Sequence, residues 1–189
     1  MIAIICRIFC LVTLVSNFVL QSSFASDKDL IKQSSSAVEE VQSERQDPQS
    51  QIMVHLYFSD RLGNYLQAEE RSLSSVTHAV EKGRLIVKAL IKGPKTDLIR
   101  TIPTGTRLNA FYLGPGGRAY VDLSETVMND SPGGSRSELL TVYSIVNSLI
   151  LNIPEIKAVK ILINGRETPT LAGHIDNRYS FTSDMLLIR

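Results

Sequence analysis

Apolar and polar side chains alternate along residues 52–59, IMVHLYFS, which puts Ile52, Val54, Leu56 and Phe58 on one face of a half-buried strand. Arg61, Leu62, Gly63 and Asn64 read as a turn, and residues 65–73, YLQAEERSL, as a returning strand. The period then changes. In VTHAVEKGRLIVKALIKGP, residues Val80, Gly83, Ile86, Val87, Leu90 and Ile91 recur at helical spacing, and Gly93-Pro94 ends the helix. Gly83 inside that helix points to close packing or weak local propensity.

A hairpin follows. RLNAFYL sets Leu108, Ala110 and Tyr112 opposite Asn109, Phe111 and Leu113; residues 114–117, GPGG, turn the chain; and RAYVDLS aligns Ala119, Val121 and Leu123. After the loop NDSPGG, helical spacing directs Leu139, Val142, Tyr143, Val146, Leu149 and Ile150 inward, ending before Ile153-Pro154. KAVKILI is then a strand, Asn164-Gly165 a turn, and RETPTL a candidate return strand that Pro169 confines to an edge. The order β-β-α-β-β-α-β-β predicts an α+β fold: a two-layer α/β sandwich with two helices on one face of a mostly antiparallel or mixed sheet.

Both ends of the charge scale are absent. Residues 1–25 hold one basic side chain, Arg7, an apolar run from Ile8 to Leu20 broken by Thr13, Ser16 and Asn17, and then Ser23-Phe24-Ala25. This is the pattern of a secretory signal cleaved after Ala25. An uncleaved membrane anchor is the alternative, although the run is shorter than the ~20 residues a bilayer core requires. Cleavage removes one of the 20 basic residues and none of the 19 acidic ones, so the remaining chain has no net formal charge to attract nucleic acid or an anionic membrane surface. Both cysteines, Cys6 and Cys10, lie in this leader, which leaves residues 52–189 without disulfides or thiol chemistry. Residues 26–51 are polar with isolated apolar positions and read as a flexible tether; a short amphipathic helix around residues 37–42 would form only against a partner.

Candidate chemistry is sparse. Gly133-Gly134 is followed by Ser135-Arg136, so the lysine of a phosphate-binding Walker loop is missing, and the glycine spacing of a dinucleotide fold is missing too. The spacing of Ser135 and Glu138 fits a capping box instead, each side chain bonding the other residue's amide. An anion at the free amides beside Arg136 is the alternative use of this helix start. The histidines, His55, His78 and His174, show no ligand spacing, so no metal is assigned. No serine stands in a nucleophile elbow, and Glu69-Glu70 read as solvated carboxylates on opposite strand faces. No catalytic, cofactor-binding or metal-binding residue is assigned. Tyr57, Phe58, Phe111, Tyr112 and Tyr143 read as core and interface residues.

Residues 52–181 resemble the GerMN domain family of sporulation and germination proteins and related envelope proteins. The likeness is carried by VHLYFSD, by KALIKGP with RTIPTGT, by AYVDLS, by SELLTVYSIVNSLILNIPEIKAV and by ILINGRETPTLAGHID. It implies an extracytoplasmic module, usually tethered to the membrane, with a fold similar to ring-building domains and no assigned catalytic residues. Cys10 is preceded by Ile8 and Phe9 rather than the small residues that lipid attachment requires, and one copy of the module is present where some members have two.

The expected function is therefore a non-enzymatic envelope module, periplasmic or secreted, that uses no cofactor. It would bind envelope proteins or copies of itself through unpaired sheet edges. The alternative is a binding module for a small anionic or cell-wall ligand, held by the loops at residues 114–117 and 131–135.

Overall fold

A computed structural model describes residues 51–189. The signal sequence expected over residues 1–25 and the tether expected over 26–51 lie outside the described residues, apart from Gln51, which opens the first strand. Strands β1 (Gln51–Ser59) and β2 (Leu66–Ser74) form an antiparallel hairpin, with Asp60 accepting from the amides of Asn64 and Tyr65 to close the turn. Helix α1 (Ala79–Lys92) follows. Strands β3 (Leu108–Gly114) and β4 (Arg118–Leu123) pair antiparallel, a short helix α2 (Thr126–Asn129) leads to helix α3 (Ser135–Ile150), and β5 (Ala158–Ile163) lies parallel to β4.

The fold is mixed α+β, with the strands divided into two sheets, β1-β2 and β3-β4-β5, rather than joined in one. The cause lies along β1. Its outer edge is occupied by α3 and the chain beyond it: the Tyr57 amide donates to Ser148 Oγ at 3.0 Å, the His55 amide to Asn152 Oδ1 at 2.9 Å, and Asn152 Nδ2 returns a bond to the His55 carbonyl at 2.7 Å. Ser59 exchanges two backbone bonds with Ile99. The outward amides of His55, Tyr57 and Ser59 and the carbonyls of His55 and Ser59 therefore find partners outside the β1-β2 hairpin.

One core joins the layers. Val54, Leu56 and Phe58 of β1, Ile86, Val87 and Leu90 of α1, and Ala119, Val121 and Leu123 of β4 are buried together with Val142, Ile145, Val146 and Leu149 of α3. Phe111 is the buried residue of β3, and Tyr112 is 57% exposed, because a bulge between Leu108 and Ala110 resets the alternation. Tyr112 is thus no core residue. Gly83 does mark close packing: a Cβ there would stand 2.2 Å from Cζ of Phe111.

The expected return strand after Asn164-Gly165 does not form. Ile163 and Arg166 bridge across the turn, after which the neighbour of β5 is Phe181, exchanging bonds of 2.8 and 2.7 Å with Val159. Pro169 has no N–H for a ladder, and its carbonyl accepts from the amide of the fully buried Asn177.

Candidate functional site

Helix α3 organises its surroundings through polar side chains. Thr141, Ser144, Asn147 and Ser148 are buried alongside the apolar face, which wraps the helix in protein on nearly all sides. Thr141 Oγ1 donates to the Thr101 carbonyl at 2.6 Å, and Thr101 Oγ1 bonds Ser144 Oγ at 2.8 Å. Asn147 exchanges two bonds with the Asp184 backbone. One helix thus pins the loop before β3, the C-terminal segment and, through Ser148, the edge of β1.

The loop between α1 and β3 is fixed from its other end as well. Gly93 takes φ 91°, and Arg100 lies against it, donating to the carbonyls of Ile91 at 2.6 Å and Lys92 at 2.8 Å. These are orphan acceptors of the last helical turn. Glu69, read from sequence as a solvated carboxylate, is instead buried, because its face of β2 packs toward the core. It accepts from the amides of Lys95 and Thr96, from the Thr96 hydroxyl and from Arg71. Burial pushes this carboxyl up, but the bonds from Thr96, Arg71 and Lys95 outweigh it and hold the pKa at about 2. Glu70 stays exposed and lies 3.7 Å from His55.

These anchors frame a cleft of about 710 Å³. One wall is residues 99–104, and the other is the chain from Pro132 to Ser137 with Leu140. Gly133 and Gly134 adopt φ of 81° and 86°, which permits the sharp entry into α3. The expected capping box is absent. Gly134 occupies the N-cap position without a side-chain cap, and Ser135 is the first helical residue. The Glu138 carboxylate turns away and accepts from the amides of Ala172 at 2.7 Å and His174 at 2.8 Å. Tertiary donors brought to this buried carboxylate outcompete the local one. Burial raises the Glu138 pKa, but bonds from the amides of Ala172, Ile175 and His174 prevail and lower it.

Of the two loops expected to form a ligand site, only residues 132–135 line this cleft, and none of residues 114–117 does. Gly117 serves packing instead, since a Cβ there would meet the Glu155 carbonyl at 2.4 Å. His55 is on β1, His78 precedes α1, and His174 bonds Glu138. Among the described residues no group of three or more His, Cys, Asp or Glu side chains could hold a metal ion, and no helix is long and apolar enough to cross a membrane. The charged groups in the cleft's lining are Arg100, already engaged with the end of α1, Arg136 and one carboxylate, Asp130. Sequence reasoning missed its rim at residues 99–104, although RTIPTGT was among the segments carrying the family likeness.

Solved structures share the fold. A Clostridium perfringens protein named as a candidate lipoprotein matches with 25% identity and a TM-score of 0.52, over 70% of this chain and 88% of that one. The tandem GerMN domains of the sporulation protein GerM from Bacillus subtilis match with a TM-score of 0.57 and 20% identity, over 72% of this chain and 52% of that one. The first GerMN domain of GerM alone matches with a TM-score of 0.54 and 20% identity, over 70% of this chain and 97% of that one. This chain thus spans about half of the tandem pair and nearly all of a single domain. No curated protein matches. Residues 55–169, more than half of the chain, match the Germane family, described as sporulation and spore germination, and the chain belongs to that family.

Proposed function

We propose that the chain is a non-enzymatic, extracytoplasmic interaction module of the cell envelope, which receives a strand of another protein on the outer edge of β2. The observation that carries this reading is an asymmetry between the two edges of the β1-β2 hairpin. On β1 the outward amides of His55, Tyr57 and Ser59 are bonded internally. Their antiparallel partners Glu70, Ala68 and Leu66 turn their main-chain groups to the other edge, as does Ser72 two residues on. Among the described residues, that second edge is bonded at Leu66, whose carbonyl accepts from the Arg189 amide at 2.9 Å, and carries no further backbone bond to Ser74. Such an edge is a template for strand addition. Met53, 60% exposed and paired with Ser72, offers apolar surface beside it. The leader pattern of residues 1–25 and the lipoprotein name of one structural relative support an envelope setting.

A photo-crosslinking residue at Ser72, with one at the exposed Lys88 of α1 as control, tests this in cells. A discrete protein adduct from position 72 and none from 88 is expected. Equal labelling from both positions, or none from 72, contradicts the reading.

A second reading is ligand binding in the cleft, favoured by its volume of about 710 Å³. That lies in the range of ~300–1,000 Å³ typical of small-molecule sites. Titration with anionic cell-wall fragments should then shift the amides of Thr101–Thr104 and Gly133–Ser137 together; unmoved amides in both walls remove it.

A further inference from the structure

A second, smaller pocket of about 220 Å³ lies on the opposite side of the three-stranded sheet. Ala119, Val121, Val159 and Ile161 point into the core, so the alternating residues Tyr120 and Lys160, which are register partners, face the other way. Arg118, Glu167, Arg178 and Tyr179 complete the walls.

Lys160 is the unusual member. Its residue is 3% exposed, yet it carries an ammonium group with three donors. Two of them are fixed by the carbonyls of Asn177 and Arg178, each at 2.8 Å. Asn177 is itself locked, fully buried and bonded through Nδ2 to the Ile161 carbonyl and Thr168 Oγ1. The ammonium is therefore held in place by backbone and cannot follow a partner into solvent. Its third contact is the Glu167 carboxylate at 3.2 Å, on a side chain that is 67% exposed. A buried charge is paired here with an exposed surface acid, an arrangement in which the acid can be displaced while the charge stays fixed. Arg178 is engaged by Asp176 through both carboxylate oxygens, whereas Arg118 has no ion-pair partner among the described residues.

We propose that this pocket binds a small organic carboxylate. Its oxygens take the remaining donor of Lys160 in place of the Glu167 ion pair and pair with Arg118, and its body lies beside Tyr120 and Tyr179. Glu167 stands in for that ligand and shows the acceptor the socket takes. A planar guanidinium matches a carboxylate in a bidentate fork, which a spherical halide cannot reproduce. The volume, below the ~300 Å³ where drug-sized sites begin, limits the ligand to a few heavy atoms beyond the carboxylate. The site is separate from the β2 edge, so either can fail alone.

The test is amide-resolved NMR of the purified protein titrated with sodium acetate, sodium phosphate and sodium chloride at matched ionic strength, repeated with Glu167→Gln and Arg118→Gln. Both substitutions are at exposed positions. Acetate should shift the amides of Tyr120, Lys160 and Tyr179 beyond the chloride baseline. Glu167→Gln should tighten binding about fivefold, equivalent to about 1 kcal/mol, and Arg118→Gln should weaken it. No shift beyond chloride in Glu167→Gln overturns the site, and phosphate binding as tight as acetate overturns the carboxylate assignment.

Discussion

Glu138 and His174 meet twice: the Glu138 carboxylate accepts from the His174 amide at 2.8 Å and lies 3.1 Å from its ring Nδ1. The same carboxylate takes the Ala172 amide, so a residue in the first turn of α3 holds the segment that follows Leu171, itself a core residue. Replacing Glu138 with alanine leaves these amides without their acceptor. The expected loss is about 3 kcal/mol, because hydrogen bonds to a charged group contribute ~1.5–3 kcal/mol each and those on this buried carboxylate are removed together. Urea unfolding measures it, and faster amide exchange at residues 172–175 than at α1 would locate the damage.

Glu69 sets an acid limit. Its folded pKa of about 2 lies below the ordinary value of 4.5, so its contribution is fully present above pH 4.5 and is lost as the pH falls toward 2. The shift corresponds to about 3 kcal/mol. Glu138, lowered for a similar reason, acts in the same direction. Asp176 is also held at about 2, by Arg178, but it is exposed and its pairing is screened by solvent. Denaturation midpoints followed from pH 6 to pH 2 should therefore fall most steeply below about pH 4.5. Glu69→Gln should start lower and decline less.

Gly83→Ala sets two effects against each other. Alanine favours a helix interior by about 1 kcal/mol over glycine. Its Cβ would stand within 2.2 Å of the Phe111 ring, and overpacking costs about 1–3 kcal/mol. Net destabilisation is expected, and it should shrink or reverse when Phe111→Leu makes room. A double-mutant cycle on thermal unfolding reads the coupling, and additive effects would contradict the packing role.

Ser148→Ala leaves the buried Tyr57 amide without its acceptor. About 2 kcal/mol should be lost, within the range for an unsatisfied buried group. Ser148→Thr, which keeps the hydroxyl, should recover part of that loss. Equal loss in both variants would mean that volume rather than hydrogen bonding decides the site.

Much of the fold is legible in the chain because period and turn chemistry act locally. The alternation at Ile52, Val54, Leu56 and Phe58, the helical spacing from Val80 to Ile91 and the triad Ala119, Val121 and Leu123 all fall where the core is. What escaped is what polar residues do at a distance. Ser148 and Asn152 look like ordinary helix-surface positions until they meet His55 and Tyr57, 91 to 97 residues away. Glu138 has the spacing of a cap, and Glu69 that of a surface acid, because sequence spacing records local donors and not those brought by the fold. The cleft was half legible, through Gly133 and Gly134. Its other wall, at Thr101 and Ile102, depends on Thr141 and Ser144, and their buried side chains sit on the face that periodicity marked as polar.

Amide hydrogen exchange on the isolated protein, and on its complex with the partner recovered from the Ser72 adduct, tests strand addition to β2 most directly. In the isolated protein the amides of Ala68, Glu70 and Ser72 should exchange fast while the Tyr57 amide is already protected by Ser148. On association, Ala68, Glu70 and Ser72 should become protected in alternation, with Tyr57 unchanged. Protection confined to the cleft walls at Thr101–Thr104 and Gly133–Ser137, with the β2 edge still exchanging fast in the complex, would contradict it.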